Sequence, residues 1–341
     1  MTRKQDKTMI VAEIGCNHNG NPEMARRLVD AAKHCGVDAV KFQTFIATEL
    51  ISRYAPKAEY QKVTTGEQGN QLEMTRRLQL SHADLLSLED HAREIGLLVF
   101  STPFDMPSID FLEQQGQQLW KIPSGEITNL PFLERIARIK CANKQIILST
   151  GMSTMDEVQQ AVDILLQDAT PEELVLLHCN TEYPTPDEDV NLSAIDDLHH
   201  HFPDIRIGFS DHSVGSIAAV GAVMKDVVLI EKHFTLDKNL PGPDHKASAT
   251  PSEMTQLVSD VRRAEVMRGQ GGKRVTDSER RNINIARKSI VARRNIRKGE
   301  LLTADNITCK RPGNGISPMH WYDVLGTTAI DNFNEDEMIR I

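Results

Sequence analysis

The chain is short of everything that would cross-link it covalently. Its five cysteines, Cys16, Cys35, Cys141, Cys179 and Cys309, are odd in number, widely scattered and never in a CxxC pair. That pattern excludes a disulfide framework and a cysteine-ligated zinc site, and fits a reducing compartment. Long apolar runs are missing too. The longest, Val214 to Ile230, is broken by Ser216, Lys225 and Asp226 and cannot span a bilayer. Met1-Thr-Arg-Lys-Gln-Asp-Lys7 leads directly into a strand without the apolar core of a signal peptide, so a cytoplasmic location is expected. Positive charge is in deficit: 39 Lys and Arg face 48 Asp and Glu, a net of −9. That balance argues against nucleic-acid and anionic-membrane partners, while leaving room for a local basic pocket around a small anion.

What is present is a repeated sentence of strand and helix. Met9 to Ile14 reads as a buried strand. The helix after it has Asn21 as N-cap, Pro22 at its first position and Gly36 past its end, with Ala25, Leu28, Val29, Ala32 and Cys35 on one face. Further strands are expected at 38–44, 97–102, 118–122, 145–150, 174–178, 205–212 and 227–233, with Ser81 and Ser153 as N-caps of intervening helices. Eight strand-plus-helix units in strict alternation predict a TIM (β/α)8 barrel rather than an open doubly wound sheet. The stretch from Phe45 to Leu80, through Tyr54-Ala-Pro-Lys-Ala-Glu-Tyr60, is too long for an ordinary βα connection and reads as a cover over the barrel mouth. The expected organisation is a catalytic barrel over 1–268, a polar linker over 269–285 and a small, mostly β module over 286–341.

Chemistry should gather where the strands end. His212 and His233 close consecutive strands, and Ser210 and Glu231 each stand two residues earlier, on the same strand face. Two imidazoles with open positions suit Mn²⁺, Mg²⁺ or Fe²⁺ better than a closed structural zinc site, although structural histidines remain an equal reading on spacing alone. Lys41 and Lys121 lie inside apolar strands, a placement that requires a polar lumen or an anion. Thr102, Ser124, Ser149 and Ser210 would add neutral donors around a phosphate or carboxylate. Glu13, Glu126 and Glu231 are strand-end carboxylates that could move protons, or simply pair with a lysine. His199-His200-His201 is expected at a solvated helix end away from the mouth.

These pieces resemble one family along the whole chain. They are Ala12-Glu-Ile-Gly-Cys-Asn-His-Asn-Gly20, Lys41-Phe-Gln-Thr44, Ser101-Thr-Pro-Phe104, Lys121-Ile-Pro-Ser-Gly-Glu126, Leu148-Ser-Thr-Gly-Met152, Tyr183-Pro-Thr-Pro186, Gly208-Phe-Ser-Asp-His-Ser213, Glu231-Lys-His-Phe-Thr235, Gly242-Pro-Asp244 and Lys310-Arg-Pro-Gly-Asn-Gly315. Together they are similar to the sialic acid synthases, which condense phosphoenolpyruvate with N-acetylmannosamine, and to the bacterial members that serve capsule or surface-polysaccharide synthesis. The resemblance implies a C-terminal antifreeze-like (SAF) domain in a domain-swapped homodimer. It implies a divalent metal, Mn²⁺ with Mg²⁺ or Co²⁺ as alternatives, on His212 and His233. By the same likeness Lys41, Thr102, Lys121, Ser124, Ser149 and Ser210 would hold phosphoenolpyruvate, and Gln43, Tyr183 and Asp244 would face the sugar. Arg311 would reach its N-acetyl group from the partner, and Glu13 and Glu126 would handle protons. Asn180-Thr181 departs from the Thr-Asn order of some members, so either residue could contact phosphoenolpyruvate.

Three rivals remain at this stage. One is a synthase of the same chemistry making legionaminate or pseudaminate. Another is a Schiff-base aldolase using Lys121 or Lys41, and the third gives the C-terminal module an ice-binding or purely structural role.

Overall fold

The computed structural model describes residues 7–57 and 70–341. The chain divides into two compact units, Met1–Gly269 and Gln270–Ile341.

The first unit contains eight parallel strands: β1 (Met9–Glu13), β2 (Ala39–Thr44), β3 (Leu98–Pro103), β4 (Leu119–Ile122), β5 (Gln145–Ser149), β6 (Leu174–Cys179), β7 (Arg206–Asp211) and β8 (Leu229–His233). They are ordered β3-β2-β1-β8-β7-β6-β5-β4, so sequence neighbours pair everywhere except between β3 and β4, and β8 returns to β1. At the β3/β4 seam the Gln117 side chain stands in for a missing strand residue. Its Oε1 accepts from Ser101 N–H at 2.8 Å and its Nε2 donates to Ser101 C=O at 2.9 Å. The result is the TIM-type barrel that the alternation predicts.

The helices form where the local signals place them. Pro22–Cys35 is capped by Asn21, whose side chain accepts from Glu23 and Met24 N–H, and it stops at Gly36 in the left-handed region (φ 82°). Ser81 caps His82–Glu94. The expectation of Ser153 as the next cap is corrected: Thr154 is the N-cap, in a reciprocal capping box with Glu157, while Ser153 Oγ donates to the Gly151 carbonyl. The histidine triplet ends the helix Ala194–His201, with His200 and His201 exposed. Among the described residues, the long connection between β2 and His82 contains two short helices, Ala47–Leu50 and Gln71–Leu78. The part of the expected cover at 58–69 lies outside the described residues.

Two cores hold the barrel. The larger lies between sheet and helices. The smaller fills the lumen with Val11, Ala39, Phe100, Ile147, Val175, Leu177 and Leu229, flanked by Leu119. Side chains two residues apart share a strand face, so each lumen residue fixes what stands one layer higher. Val11 is followed by Glu13, Ala39 by Lys41, Phe100 by Thr102, Leu119 by Lys121, Ile147 by Ser149 and Leu229 by Glu231. An apolar floor thus carries a polar ring. Gly208 is needed in the floor, because a Cβ there would meet Leu177 Cδ2 at 2.5 Å and Leu229 O at 3.0 Å. Two residues on, Ser210 joins the ring.

The second unit pairs β9 (Ser289–Ala292) antiparallel with β10 (Ile307–Lys310), and isolated bridges join Val291 to Met338, Ile296 to Phe333 and Leu301 to Thr328. Ile290, Ile296, Leu302, Ile307, Val324, Phe333 and Ile339 form its own core. The expected linker is not featureless: Thr276 opens a short helix, Asp277–Arg280, with a capping box to Glu279.

Candidate active site

The polar ring forms the floor of a cavity of ≈ 690 Å³ that opens at the carboxyl ends of the strands. Lys41 Nζ donates to Thr102 Oγ1 at 2.8 Å, and Lys121 Nζ donates to Ser149 Oγ at 2.6 Å. Lys41 forms an ion pair with Glu13, and Glu231 stands 3.8 Å from Lys41 and 3.9 Å from Lys121. Ser210 Oγ donates to Glu231 Oε1 at 3.1 Å. All four charged side chains are buried. Two ammonium groups and two carboxylates therefore balance in a water-poor lumen, which is the arrangement that makes burying them tolerable.

The two carboxylates are not equivalent. Burial opposes ionisation of Glu231, but Lys121 and Lys41 outweigh it and hold its carboxyl at about 2. Burial pushes Glu13 up to about 7, against the pull of Lys41 and with the push of the Glu231 charge. Glu231 therefore carries the fixed negative charge, and Glu13 is the carboxyl that can hold or release a proton near neutrality. Burial lowers Lys121, with Glu231 opposing the shift.

His212 and His233 stand above this layer with ring centroids 5.3 Å apart, and the Tyr183 ring lies 4.2 Å from His212 and 5.5 Å from His233. His212 Nδ1 faces the Asn180 carbonyl, so it carries the proton and Nε2 keeps its lone pair. Burial drives His212 down to about 4, and burial, with His212 and Lys41 beside it, drives His233 well below the ordinary imidazole value. Both are neutral imidazoles at physiological pH. His233 Nδ1 is buried without a hydrogen-bond partner, and the Asp244 carboxylate is 3.8 Å away. An orphaned buried ring nitrogen beside a second neutral imidazole fits an open metal site. Among the described residues no group of three or more His, Cys, Asp or Glu side chains converges on one metal position, so any metal here would take its remaining ligands from elsewhere.

Gln43, Ser124, Glu126, Thr181, Tyr183 and Asp244 complete the sequence-expected lining. Gln43 Nε2 donates to Glu13 Oε1 at 3.0 Å, and Ser124 Oγ accepts from Gly151 N–H at 3.1 Å. Burial raises the Asp244 carboxyl to about 6. Asn180 is not brought to this cavity. The Asn180 side chain is spent on the Glu182 N–H and the Asp189 carbonyl, which leaves Thr181 as the lining member of the pair. Arg311 belongs to the C-terminal unit, where its Nε donates to the Ala286 carbonyl. Glu126 lines the mouth half-exposed and accepts from Asn129, unlike the buried Glu13.

Sequence reasoning assigned no role to the polar clamp behind Asp244. Asn17 Nδ2 donates to the Phe234 carbonyl and to Ser248 Oγ, and Ser248 Oγ donates to the Asp244 carbonyl. His245 bridges Thr235 and Asn19. A Cβ on Gly242 (φ 151°) would meet the His245 ring at 2.7 Å and Asn19 Oδ1 at 2.8 Å. The Asn17-His18-Asn19 cluster was the available signal, and its structural task explains that motif.

His18 gives a pH prediction. Its Nδ1 accepts the Gly20 N–H at 3.0 Å, which only the unprotonated ring can do, and burial with the His245 charge lowers it from 6.5 to about 4. A depressed folded pKa contributes stability that is complete above 6.5 and lost as pH falls from 6.5 toward 4, because the unfolded chain binds the proton first. Thermal melts over that window should show His18→Gln losing less stability than the wild type on acidification, by up to ~3 kcal/mol. Parallel curves would remove His18 as a source of acid sensitivity.

Comparison with known proteins gives the site its family. Residues 28–273 match the NeuB family model and residues 287–341 match the SAF domain. The chain belongs to the NeuB family. An N,N'-diacetyllegionaminic acid synthase of Campylobacter jejuni is 46% identical over 98% of this chain and 99% of its own length. The human N-acetylneuraminate-9-phosphate synthase is 33% identical over 98% and 92%. Among solved structures, the N-acetylneuraminic acid synthetase of Leptospira borgpetersenii, crystallised with citrate, superposes with a TM-score of 0.71 at 32% identity, covering 82% of this chain and 91% of that one. The chain is thus an enzyme of the sialic acid synthase family. Among the described residues no helix is long and apolar enough to cross a membrane.

Proposed function

We propose that the protein condenses phosphoenolpyruvate with an acetamido sugar aldehyde and water, releasing phosphate and a nine-carbon 2-keto acid. The observation that carries this reading is the ring of Lys41, Lys121, Thr102, Ser149 and Ser210 beneath two neutral imidazoles. It offers cations and neutral donors for a small, doubly anionic substrate, with a place for an aldehyde above it.

Lys41 and Lys121 would neutralise the phosphate and carboxylate, with Thr102, Ser124, Ser149, Thr181 and Ser210 as further donors. Gln43, Tyr183 and Asp244 would orient the sugar. Carbon–carbon bond formation joins C3 of phosphoenolpyruvate to the aldehyde carbon, water adds at C2, and phosphate leaves by C–O cleavage. Glu13, poised near neutrality, is the buried group suited to take the proton of that water, and Glu126, half-exposed at the mouth, would meet sugar hydroxyls. A divalent metal held by His212 and His233, Mn²⁺ in our reading with Mg²⁺ or Co²⁺ as substitutes, supplies polarisation of the aldehyde when bound.

For the sugar, similarity shifts the choice away from N-acetylmannosamine, the acceptor expected from sequence. Two relatives named N,N'-diacetyllegionaminic acid synthase, from C. jejuni and Legionella pneumophila, are 46% and 43% identical, against 33% for the human N-acetylneuraminate-9-phosphate synthase. We therefore take the 6-deoxy diacetamido sugar as the better substrate and N-acetylmannosamine as the second reading. Phosphate release from phosphoenolpyruvate, assayed with each sugar and Mn²⁺, tests both. Product from N-acetylmannosamine alone reverses the order, and borohydride trapping of a lysine adduct would replace the whole scheme with a Schiff-base aldolase.

We further propose a homodimer in which Arg311 of the partner subunit reaches the sugar's N-acetyl group. Ending the chain at Gly269 should then abolish phosphate release while the barrel still melts cooperatively. Full activity in the truncated protein would reject the role.

A further inference from the structure

Part of the cavity wall has no use in the anion chemistry. Phe45, Leu50, Ile51, Met74, Leu78 and Phe104 line the same cavity as the lysines. Phe45 and Leu78 belong to a small satellite core outside the barrel, against which Leu50, Ile51 and Phe104 pack while remaining half-buried. Phe45 and Phe104 meet edge to face with centroids 6.4 Å apart, which fixes both rings. Met74 and Leu78 are one turn apart on the same face of the helix Gln71–Leu78. Gln71 and Thr75 interrupt this wall with an amide and a hydroxyl.

Phosphoenolpyruvate cannot be what covers this wall, since its charged groups need the floor. Of the two substrates, that leaves the acceptor sugar. A terminal hydroxymethyl laid against it would lose water without gaining a partner, whereas a methyl would not. We propose that this apolar wall receives the deoxygenated, methyl end of the acceptor sugar, with Gln71 and Thr75 beside it for an acetamido group, and so selects 6-deoxy over 6-hydroxy acceptors. The inference rests on the synthase reading above and names the sugar class for that same site.

The test compares kcat/KM for N-acetylmannosamine with that for its 6-deoxy form, a pair differing at one carbon. The wild type should prefer the 6-deoxy sugar by on the order of tenfold or more. Met74→Gln and Ile51→Asn, made separately, should each cut that preference by about tenfold. The ratio is the readout because partial loss of folded enzyme lowers both values alike. A wild-type preference for the 6-hydroxy sugar, or a ratio unchanged in both variants, overturns the wall's role and leaves the synthase reading standing. No phosphate release with any acceptor overturns that reading and the wall with it.

Discussion

Lys121→Met lowers kcat/KM for phosphoenolpyruvate by about a thousandfold, the scale expected when a preorganised charge is removed from a water-poor site. The variant keeps the length and apolar stem of the side chain and deletes only the ammonium, which donates to Ser149 at 2.6 Å and stands 3.9 Å from Glu231. Two consequences separate a binding role from general damage. The loss should appear mainly as a raised KM for phosphoenolpyruvate, since the cation meets charges already present in the ground state. Stability should fall as well, since removing one partner leaves a buried carboxylate uncompensated, but uptake of a proton by Glu13 and the Lys41 ammonium beside Glu231 keep that fall well below the loss in activity. Steady-state kinetics with urea denaturation reads both. A loss below tenfold would place the substrate's charge elsewhere.

His233→Ala should weaken Mn²⁺ binding by at least about a hundredfold, a loss no smaller than that seen when even the outer partners of metal ligands are removed. The reason is the pairing of the orphaned Nδ1 with a ring kept neutral by burial and by the charges around it. Titration calorimetry of the whole protein with Mn²⁺ measures the effect without any turnover, and EDTA treatment followed by Mn²⁺ should restore phosphate release to the wild type but not to the variant at the same metal concentration. Unaltered Mn²⁺ affinity would return His233 to a purely structural role.

Much of this was legible before any coordinates. Alternating strand and helix signals reveal the barrel because a strand-length apolar run needs no distant partner to be recognised, and caps such as Asn21 and Ser81 act within a few residues. The Ser153 expectation failed on just such local ground: a neighbouring threonine with a glutamate three residues later made the better reciprocal cap. The residues that line the cavity were legible for a different reason. Lysine in an apolar strand and histidine at its end are costly placements, and the cost itself marks them.

The sequence by itself determined the order of the strands, the lumen-facing period and hence the identity of the polar ring, because a period of two along each strand is a local property. It also carried the family motifs. Only the tertiary structure decided how the charges divide, with Glu231 held ionised between two lysines and Glu13 left near neutrality, since that depends on distances across β1, β2, β4 and β8. It alone assigned Thr181 rather than Asn180 to the cavity, set Glu126 at the mouth, and put an apolar wall, mostly from the β2 connection, beside the polar ring. Those are relations between residues far apart in the chain, and no local pattern encodes them.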